Sequence, residues 1–141
     1  MPSLSTALAR ALTVTAATVA LAGVTALPGA PPAAAAPLPP GVVQLGDGEP
    51  CPPATLCLYR DYGFSGPAYG IGAGYAIDLR WLPMPGHGGP TAADNVSSWV
   101  NRTAGVALLI DEQGGRTRPL FPGQHLEEPV PLNDTVDRVV W

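Results

Sequence analysis

Residues 51–66 read Cys51-Pro-Pro-Ala-Thr-Leu-Cys57-Leu-Tyr59-Arg-Asp-Tyr62-Gly63-Phe64-Ser-Gly66, and they contain the strongest structural signal in the chain. The apolar and aromatic side chains from Leu56 to Tyr59 favour a β-strand. Gly63 and Gly66 can adopt the positive φ angles of a tight turn, because glycine has no Cβ atom. We therefore predict a strand that folds back on itself, with aromatic side chains covering the bend.

The segment 1–35 has the pattern of a secretory signal peptide. Arg10 is the only charged residue among the first 46, and an apolar run follows it from Ala11 to Leu27. The small residues Ala33 and Ala35 suit a signal peptidase, so we predict cleavage after Ala35. A retained membrane anchor is the alternative, but the apolar run is short for spanning and ends in prolines. We expect a secreted, extracellular protein that has no membrane contact after cleavage.

About 105 residues then remain, which is enough for one small domain with a single core. Removing Arg10 leaves six arginines against eleven acidic residues, and the sequence contains no lysine. This acidic balance argues against nucleic acid and anionic lipid as partners, because both require a basic patch. We predict a monomer that does not bind nucleic acid.

Cys51 and Cys57 are the two cysteines of the sequence, and both lie in the part predicted to be exported. An even pair in an oxidising compartment indicates a disulfide bond. Metal binding and redox catalysis are the alternatives. They fit less well, because the spacing is not Cys-x-x-Cys and no histidine lies nearby.

The rest of the chain is rich in short β-favouring runs that are separated by glycine and proline, without a sustained helical period. We interpret the Pro/Gly-rich residues 36–50 as a flexible leader and expect the folded domain to span residues 51–141. The predicted strands are Thr55–Arg60, Pro67–Ile71, Tyr75–Leu79, Val96–Asn101, Gly105–Asp111, Thr117–Phe121, His125–Val130 and Val136–Trp141.

An internal repeat divides this domain into two parts, because Asp94-Asn95-Val96 is similar to Asp134-Thr135-Val136 forty residues later. The order of signals is also the same in both parts: an apolar strand, a glycine turn, an Asx-led turn and a closing strand. We predict an all-β sandwich of about eight short strands, built from two Greek-key halves at residues 51–102 and 103–141.

Tyr59-x4-Phe64-x-Gly66 resembles the aromatic-x4-aromatic-x-Gly hairpin of β/γ-crystallin Greek keys, and Asp94-Asn95-Val96-Ser97-Ser98 resembles the later part of that motif. With the two cysteines and the Ser-Ser-Trp-Val-Asn101 ending, the chain is similar to the actinobacterial peptidase-inhibitor family typified by the streptomycete metalloproteinase inhibitor. The resemblance implies a β/γ-crystallin-like sandwich and inhibition of secreted metalloproteases. The second half departs from the pattern, since it lacks the aromatic hairpin, and no further cysteines remain to brace a binding loop.

The same resemblance raises the question of calcium, which crystallin motifs bind through an Asn/Asp-Asn/Asp-x-x-Ser/Thr-Ser segment. The candidate ligands are Asp94, Asn95, Ser97, Asn133 and Asp134. Each half is missing ligands, because Ala93 occupies the first acidic position of one and Asp137-Arg138 replace the serine pair of the other. The alternative, which we favour, is that these side chains form Asx turns or cap strand ends. We expect no cofactor, and we expect any calcium site to be weak.

The segment Trp81-Leu-Pro-Met84-Pro-Gly-His87-Gly-Gly-Pro90 reads as a long, proline-braced loop that displays Trp81, Met84 and His87. One hypothesis is that it enters a protease cleft, with His87 within reach of the catalytic zinc. The alternative is that Trp81 and Met84 fold back and plug one end of the sandwich.

The sequence does not indicate an enzyme. His87 and His125 are its two histidines, no Gly-x-Ser-x-Gly element surrounds Ser97 or Ser98, and no His-Glu-x-x-His zinc motif occurs. We predict a secreted peptidase inhibitor that acts on a secreted metalloprotease by occluding its active-site cleft. The alternative is a non-inhibitory calcium-binding or structural β/γ-crystallin module.

Overall fold

The computed structural model describes residues 36–141, and the predicted signal peptide at residues 1–35 lies outside the described residues. The strands are β1 (Val42–Leu45), β2 (Thr55–Asp61), β3 (Ser65–Gly72), β4 (Ile77–Asp78), β5 (Pro83–Gly86), β6 (Gly89–Thr91), β7 (Ser98–Asn101), β8 (Ala107–Asp111), β9 (Arg116–Leu120), β10 (His125–Glu127) and β11 (Arg138–Val140). Two 3-10 turns span Leu79–Trp81 and Val130–Leu132. No helix within residues 36–141 is long and apolar enough to cross a membrane.

The strands form two antiparallel sheets and a separate hairpin. The five-stranded sheet has the order β1-β3-β2-β7-β10, the four-stranded sheet has the order β4-β11-β8-β9, and β5 pairs only with β6. In each half the fourth strand lies beside the first, as β7 does beside β2 and β11 beside β8, which is the Greek-key order. Each sheet also includes one short strand from the other half, namely β10 and β4. The predicted all-β sandwich of two Greek-key halves is confirmed, with eleven strands in the described residues rather than about eight.

Both faces of β2 are buried, which is why its apolar pattern is nearly continuous. Leu56 and Leu58 contribute to the core between the two sheets. The alternate positions Cys57 and Tyr59 face outward, because successive side chains of a strand point to opposite faces. There they form a second apolar cluster with neighbours that include Val100.

The turn between β2 and β3 has the predicted form. Gly63, Phe64 and Gly66 all have positive φ angles, at 69°, 55° and 77°. The rings of Tyr59 and Phe64 meet edge to face, with their centroids 6.0 Å apart. The aromatic pair therefore covers the bend, and Phe64 accepts a backbone conformation that L-residues rarely adopt.

The structure corrects the prediction of a flexible leader at residues 36–50. Within this segment β1 pairs with β3 along four residues and forms one edge of the five-stranded sheet. Val42 and Leu45 are buried, and Leu38 packs against the main core. A four-residue strand among prolines and glycines gives little periodic signal, because its position depends on backbone pairing with a distant strand.

The predicted disulfide between Cys51 and Cys57 is present, with Cα atoms 5.7 Å apart. It closes the loop that enters β2 and lies on the outer face of the five-stranded sheet, among Leu45, Tyr59 and Val100. The bond therefore fixes the start of the first Greek key and lies outside the core between the sheets.

Candidate functional site

The segment predicted to be a proline-braced loop is a β-hairpin formed by β5 and β6, which we call hairpin 83–91. Gly86 pairs with Gly89, so His87 and Gly88 form its two-residue tip. His87 is exposed. Trp81 lies just before β5 and is 71% exposed, the most exposed aromatic side chain in the described residues. The hairpin thus offers an imidazole at its tip and an indole beside its base.

Met84 does not lie on the predicted contact surface. Its side chain is completely buried and belongs to the core between the sheets, as does that of Leu82. The strand period of two places Leu82 and Met84 inward and leaves Trp81, Pro83 and Pro85 outward. Of the candidates Trp81, Met84 and His87, Met84 folds back into the core, as the alternative hypothesis expects for it. Trp81 and His87 remain exposed.

A cleft of about 580 Å3 lies beside the hairpin tip. His87 and Asp134 are among the residues that line it. Arg60 also lines the cleft and donates a hydrogen bond from Nη1 to the Pro85 carbonyl oxygen at 3.2 Å. The same guanidinium pairs with Asp61 at 2.9 Å and lowers the pKa of that carboxyl. Arg60 therefore links the hairpin to the end of β2.

The calcium candidates fall into two related turns. Asp94 and Asp134 both adopt the left-handed conformation, with φ angles of 58° and 54°. Burial raises the pKa of Asp94, and the neighbouring Asp137 carboxylate raises it further. Burial also raises the pKa of Asp134. Within residues 36–141, no group of three or more His, Cys, Asp or Glu side chains is placed to hold a metal ion.

The remaining calcium candidates make hydrogen bonds within the protein. The Asn95 Oδ1 atom accepts from the Gly88 N–H at 2.7 Å. Asn133 donates from Nδ2 to Asp134 Oδ2 at 2.8 Å, whereas its buried Oδ1 atom has no partner among residues 36–141. Ser97 is buried beside Asp134 and lowers the pKa of that carboxyl through a hydrogen bond. These contacts are those of turns, and the amide oxygen of Asn95 is already engaged.

The histidines and serines are not arranged for nucleophilic catalysis. His125 lies in β10 and packs edge to face against Phe64, with centroids 5.6 Å apart. Ser98 donates from its hydroxyl to the Asp61 carbonyl oxygen at 2.7 Å, which ties β7 to the end of β2. Within residues 36–141, neither imidazole hydrogen-bonds to a serine, so no nucleophile and base are paired there.

Asn95 is the residue whose role the sequence did not reveal. The sequence suggests Asn95 as a calcium ligand, whereas in the structure its side chain forms hydrogen bonds with hairpin 83–91. The available signal was the cluster of glycines at positions 86, 88 and 89, because closely spaced glycines often mark a backbone against which another group packs.

Comparison with known proteins supports the fold and supplies the family. No curated protein matches the chain. A solved structure described as "Evolution of the eye lens beta-gamma-crystallin domain fold" is similar, with a TM-score of 0.55 and 19% sequence identity over 70% of this chain and 94% of that one. This likeness confirms the β/γ-crystallin-like fold. The model of peptidase inhibitor family I36 matches residues 45–117, more than half of the 141-residue chain. The chain therefore belongs to peptidase inhibitor family I36, and it is an inhibitor of a peptidase rather than an enzyme.

Proposed function

We propose that this protein is a secreted inhibitor of metalloproteases, and that hairpin 83–91 occludes the active-site cleft of its target. The observation that carries the proposal is an exposed histidine at the tip of a hairpin whose backbone is held by two side chains from outside the hairpin. Arg60 donates a hydrogen bond to the Pro85 carbonyl oxygen, and Asn95 accepts one from the Gly88 N–H at the tip. Occlusion needs no cofactor and no turnover.

The hairpin is suited to binding because little of its freedom remains to be lost. Three prolines, at positions 83, 85 and 90, restrict its backbone, and all three are exposed. Association loses less free energy to ordering when a loop is already held in its bound shape. Trp81 adds a large exposed aromatic surface of the kind that often dominates binding energy at interfaces.

The class of target is inferred from His87. A neutral imidazole is a common zinc ligand, and catalytic zinc sites keep one coordination position open for water or substrate. Gly86 and Gly88 flank His87, so no neighbouring side chain on the tip blocks the approach of its ring. A cleft that carries a catalytic zinc ion would therefore gain a specific contact from the tip, whereas a serine protease would not.

Export is supported by two features. The pattern of residues 1–35 predicts a signal peptide. The Cys51–Cys57 disulfide also suits an oxidising compartment, because cytosolic thiols are kept reduced. We propose that the secreted form is a monomer and that its partner is a secreted protease.

The test is titration of a thermolysin-type zinc protease with the purified secreted form, with subtilisin as a serine protease for comparison. We expect stoichiometric, tight inhibition of the zinc enzyme and little effect on subtilisin. Trp81→Ala and His87→Ala should each weaken inhibition while leaving the melting temperature unchanged. Phe121→Ala and His125→Ala are the matched controls, because Phe121 is also an exposed aromatic residue and His125 also an exposed histidine. No inhibition at micromolar concentration would count against a metalloprotease target.

A second candidate function is that of a weak calcium-binding crystallin module without inhibitory activity. It is favoured by the buried Oδ1 atom of Asn133, which has no hydrogen-bond partner among the described residues and belongs to the residue next to Asp134. A side-chain amide oxygen is one of the ligands that Ca²⁺ accepts in proteins. A melting temperature that does not respond to millimolar calcium would dispose of this candidate.

A further inference from the structure

The side chain of Asn95 makes four hydrogen bonds to the backbone of hairpin 83–91. The side chain is buried, with 2% exposure. Its Oδ1 atom accepts from the Gly88 N–H at 2.7 Å. Its Nδ2 atom donates to the carbonyl oxygens of Thr91 at 2.7 Å, Gly89 at 3.0 Å and Met84 at 3.4 Å. One amide group therefore contacts both strands of the hairpin and its tip.

The tip is shaped to lie against this amide. A Cβ atom at Gly86 would overlap the Asn95 side chain, and one at Gly88 would overlap the Asp94 carbonyl group. Glycine at these two positions lets the hairpin backbone approach closely enough for the hydrogen bonds to form. The sequence thus provides both the amide that holds the hairpin and the glycines that leave room for it.

Asn95 is itself firmly placed. The next residue, Val96, is buried in the core between the sheets. Its neighbour Ser97 donates its backbone N–H to the Tyr59 carbonyl oxygen at 3.1 Å, which ties this segment to β2. The hydrogen bonds of Asn95 therefore fix the hairpin relative to the five-stranded sheet.

We infer that Asn95 is the positioning residue that holds hairpin 83–91 in the conformation a peptidase meets, and thereby keeps the hairpin an inhibitor rather than a substrate. The inference rests on the proposed function of the hairpin. A substrate must adapt its backbone to the catalytic groups, and its two new ends must separate after cleavage. The Asn95 amide opposes both steps, because it holds the chain on either side of the tip.

The experiment compares Asn95→Ala with Asn101→Ala. Asn101 is the matched control, because it is also fully buried and its amide also clamps loop backbone. Its Nδ2 atom donates to the Gly105 and Leu120 carbonyl oxygens, both at 2.9 Å, and its Oδ1 atom accepts from the Thr103 N–H at 3.0 Å. Both variants lose a comparable network, but only Asn95→Ala loses one that contacts the hairpin.

Three quantities are measured at a temperature at which both variants are folded: amide hydrogen exchange at Gly88, cleavage within residues 83–91 by the zinc protease, and the inhibition constant. For Asn95→Ala we expect exchange at Gly88 to be at least about tenfold faster and inhibition about 10- to 100-fold weaker, with cleavage of the hairpin. Asn101→Ala should match the wild type in all three. Asn95→Asp keeps an acceptor for the Gly88 N–H but cannot donate, so it should give a smaller loss and serves if the alanine variant does not fold.

The outcomes separate this inference from the proposed function. Wild-type exchange at Gly88 in the Asn95 variants, or inhibition equal to that of Asn101→Ala, would overturn the role of Asn95 even if His87→Ala abolishes inhibition. If the wild type inhibits no zinc protease, the proposed function fails. In that case exchange at Gly88 and nicking of the hairpin by subtilisin still decide whether Asn95 fixes the hairpin.

Discussion

The two Greek-key halves reach their closing strands by different connections. In the second half, the 3-10 turn Val130–Leu132 leads within two residues to the left-handed Asp134, and then to β11. In the first half, the 3-10 turn Leu79–Trp81 is also followed by a left-handed residue, Asp94, before β7. Hairpin 83–91 is inserted between that turn and Asp94. The candidate site is thus an addition to a connection that the other half makes without it.

The residue after each left-handed aspartate braces the connection that precedes it. Thr135 donates from Oγ1 to the Leu132 carbonyl oxygen at 3.0 Å and so closes the short turn. Asn95, at the corresponding position, contacts the whole inserted hairpin. One position of the repeat therefore has the same structural role in both halves. Only in the first half does that position contact the hairpin that we propose to bind the protease.

The largest effect is expected where the two halves are joined. The side chain of Glu128 is fully buried and pairs with Arg118 of β9 at 2.7 Å. It also accepts a hydrogen bond from the indole of Trp99, in β7, at 2.8 Å. Glu128→Ala removes the charge-assisted hydrogen bonds from the partly exposed Arg118 and leaves the buried indole N–H of Trp99 without a partner. We therefore expect a loss of about 3–5 kcal/mol in the free energy of unfolding. Urea denaturation measures it.

Glu128→Gln is the control for this substitution, because it can still accept from the Trp99 indole and should lose less stability. A loss below about 1 kcal/mol for Glu128→Ala would mean that the halves do not depend on this contact.

The next effect concerns how far the inserted hairpin belongs to the core. Met84→Ala removes a completely buried side chain and should lower the free energy of unfolding by about 2–5 kcal/mol. Trp81→Ala, three residues earlier, should change it by less than about 0.5 kcal/mol, because the indole is exposed. Thermal unfolding of the two variants gives the comparison. Equal stability losses would contradict the assignment of one residue to packing and the other to the binding surface.

A smaller effect is expected from the brace of the second half. Thr135→Val removes the hydrogen bond to the Leu132 carbonyl oxygen while retaining a similar volume, and should cost about 1 kcal/mol in the free energy of unfolding. Inhibition should be unchanged, since this connection carries no hairpin. An inhibition constant that rises as much as in Asn95→Ala would remove the distinction between the two halves.

The smallest effect is a dependence of stability on pH. The pKa of Asp94 is raised, chiefly by burial and then by Asp137, so ionisation of this carboxyl costs more in the folded than in the unfolded state. Its contribution to stability is therefore most favourable in acid and is lost as the pH rises through the folded-state pKa. Asp94→Asn should raise the free energy of unfolding at neutral pH by less than about 1 kcal/mol and give no gain near pH 3.

Asp134→Asn should behave in the same direction, because burial also raises the pKa of Asp134. Asp61→Asn should behave in the opposite direction, since the hydrogen bond from Arg60 lowers the pKa of Asp61. Unfolding curves that show the same sign for Asp94→Asn and Asp61→Asn would contradict this account of the charges.

The parts of the fold that could be predicted are those determined by neighbouring residues. The β2–β3 turn depends on Gly63, Phe64 and Gly66, which follow one another closely, and the disulfide joins cysteines six residues apart. The internal repeat also indicated the two halves, because each closing strand follows a similar Asx-led turn. The signals at residues 51–66 therefore predicted the fold and left the site open.

The features that were missed depend on distant contacts. Prolines at positions 83, 85 and 90 argued against strands, since proline cannot donate a ladder hydrogen bond. Asn95 supplies hydrogen bonds to the hairpin from outside it, and nothing in the local sequence pattern indicates that contact. Met84 shows a different limit: its strand period was visible, but an alternating run between prolines did not indicate which face was buried.

Hairpin 83–91 is the element that we propose to be inhibitory. The deciding measurement is the inhibition constant of Trp81→Ala/His87→Ala against a thermolysin-type protease, compared with that of Phe121→Ala/His125→Ala. We predict that the hairpin variant loses at least about 100-fold in affinity, equivalent to about 2.7 kcal/mol of binding free energy, at an unchanged melting temperature. Wild-type inhibition by the hairpin variant, or an equal loss in the control pair, would contradict the claim.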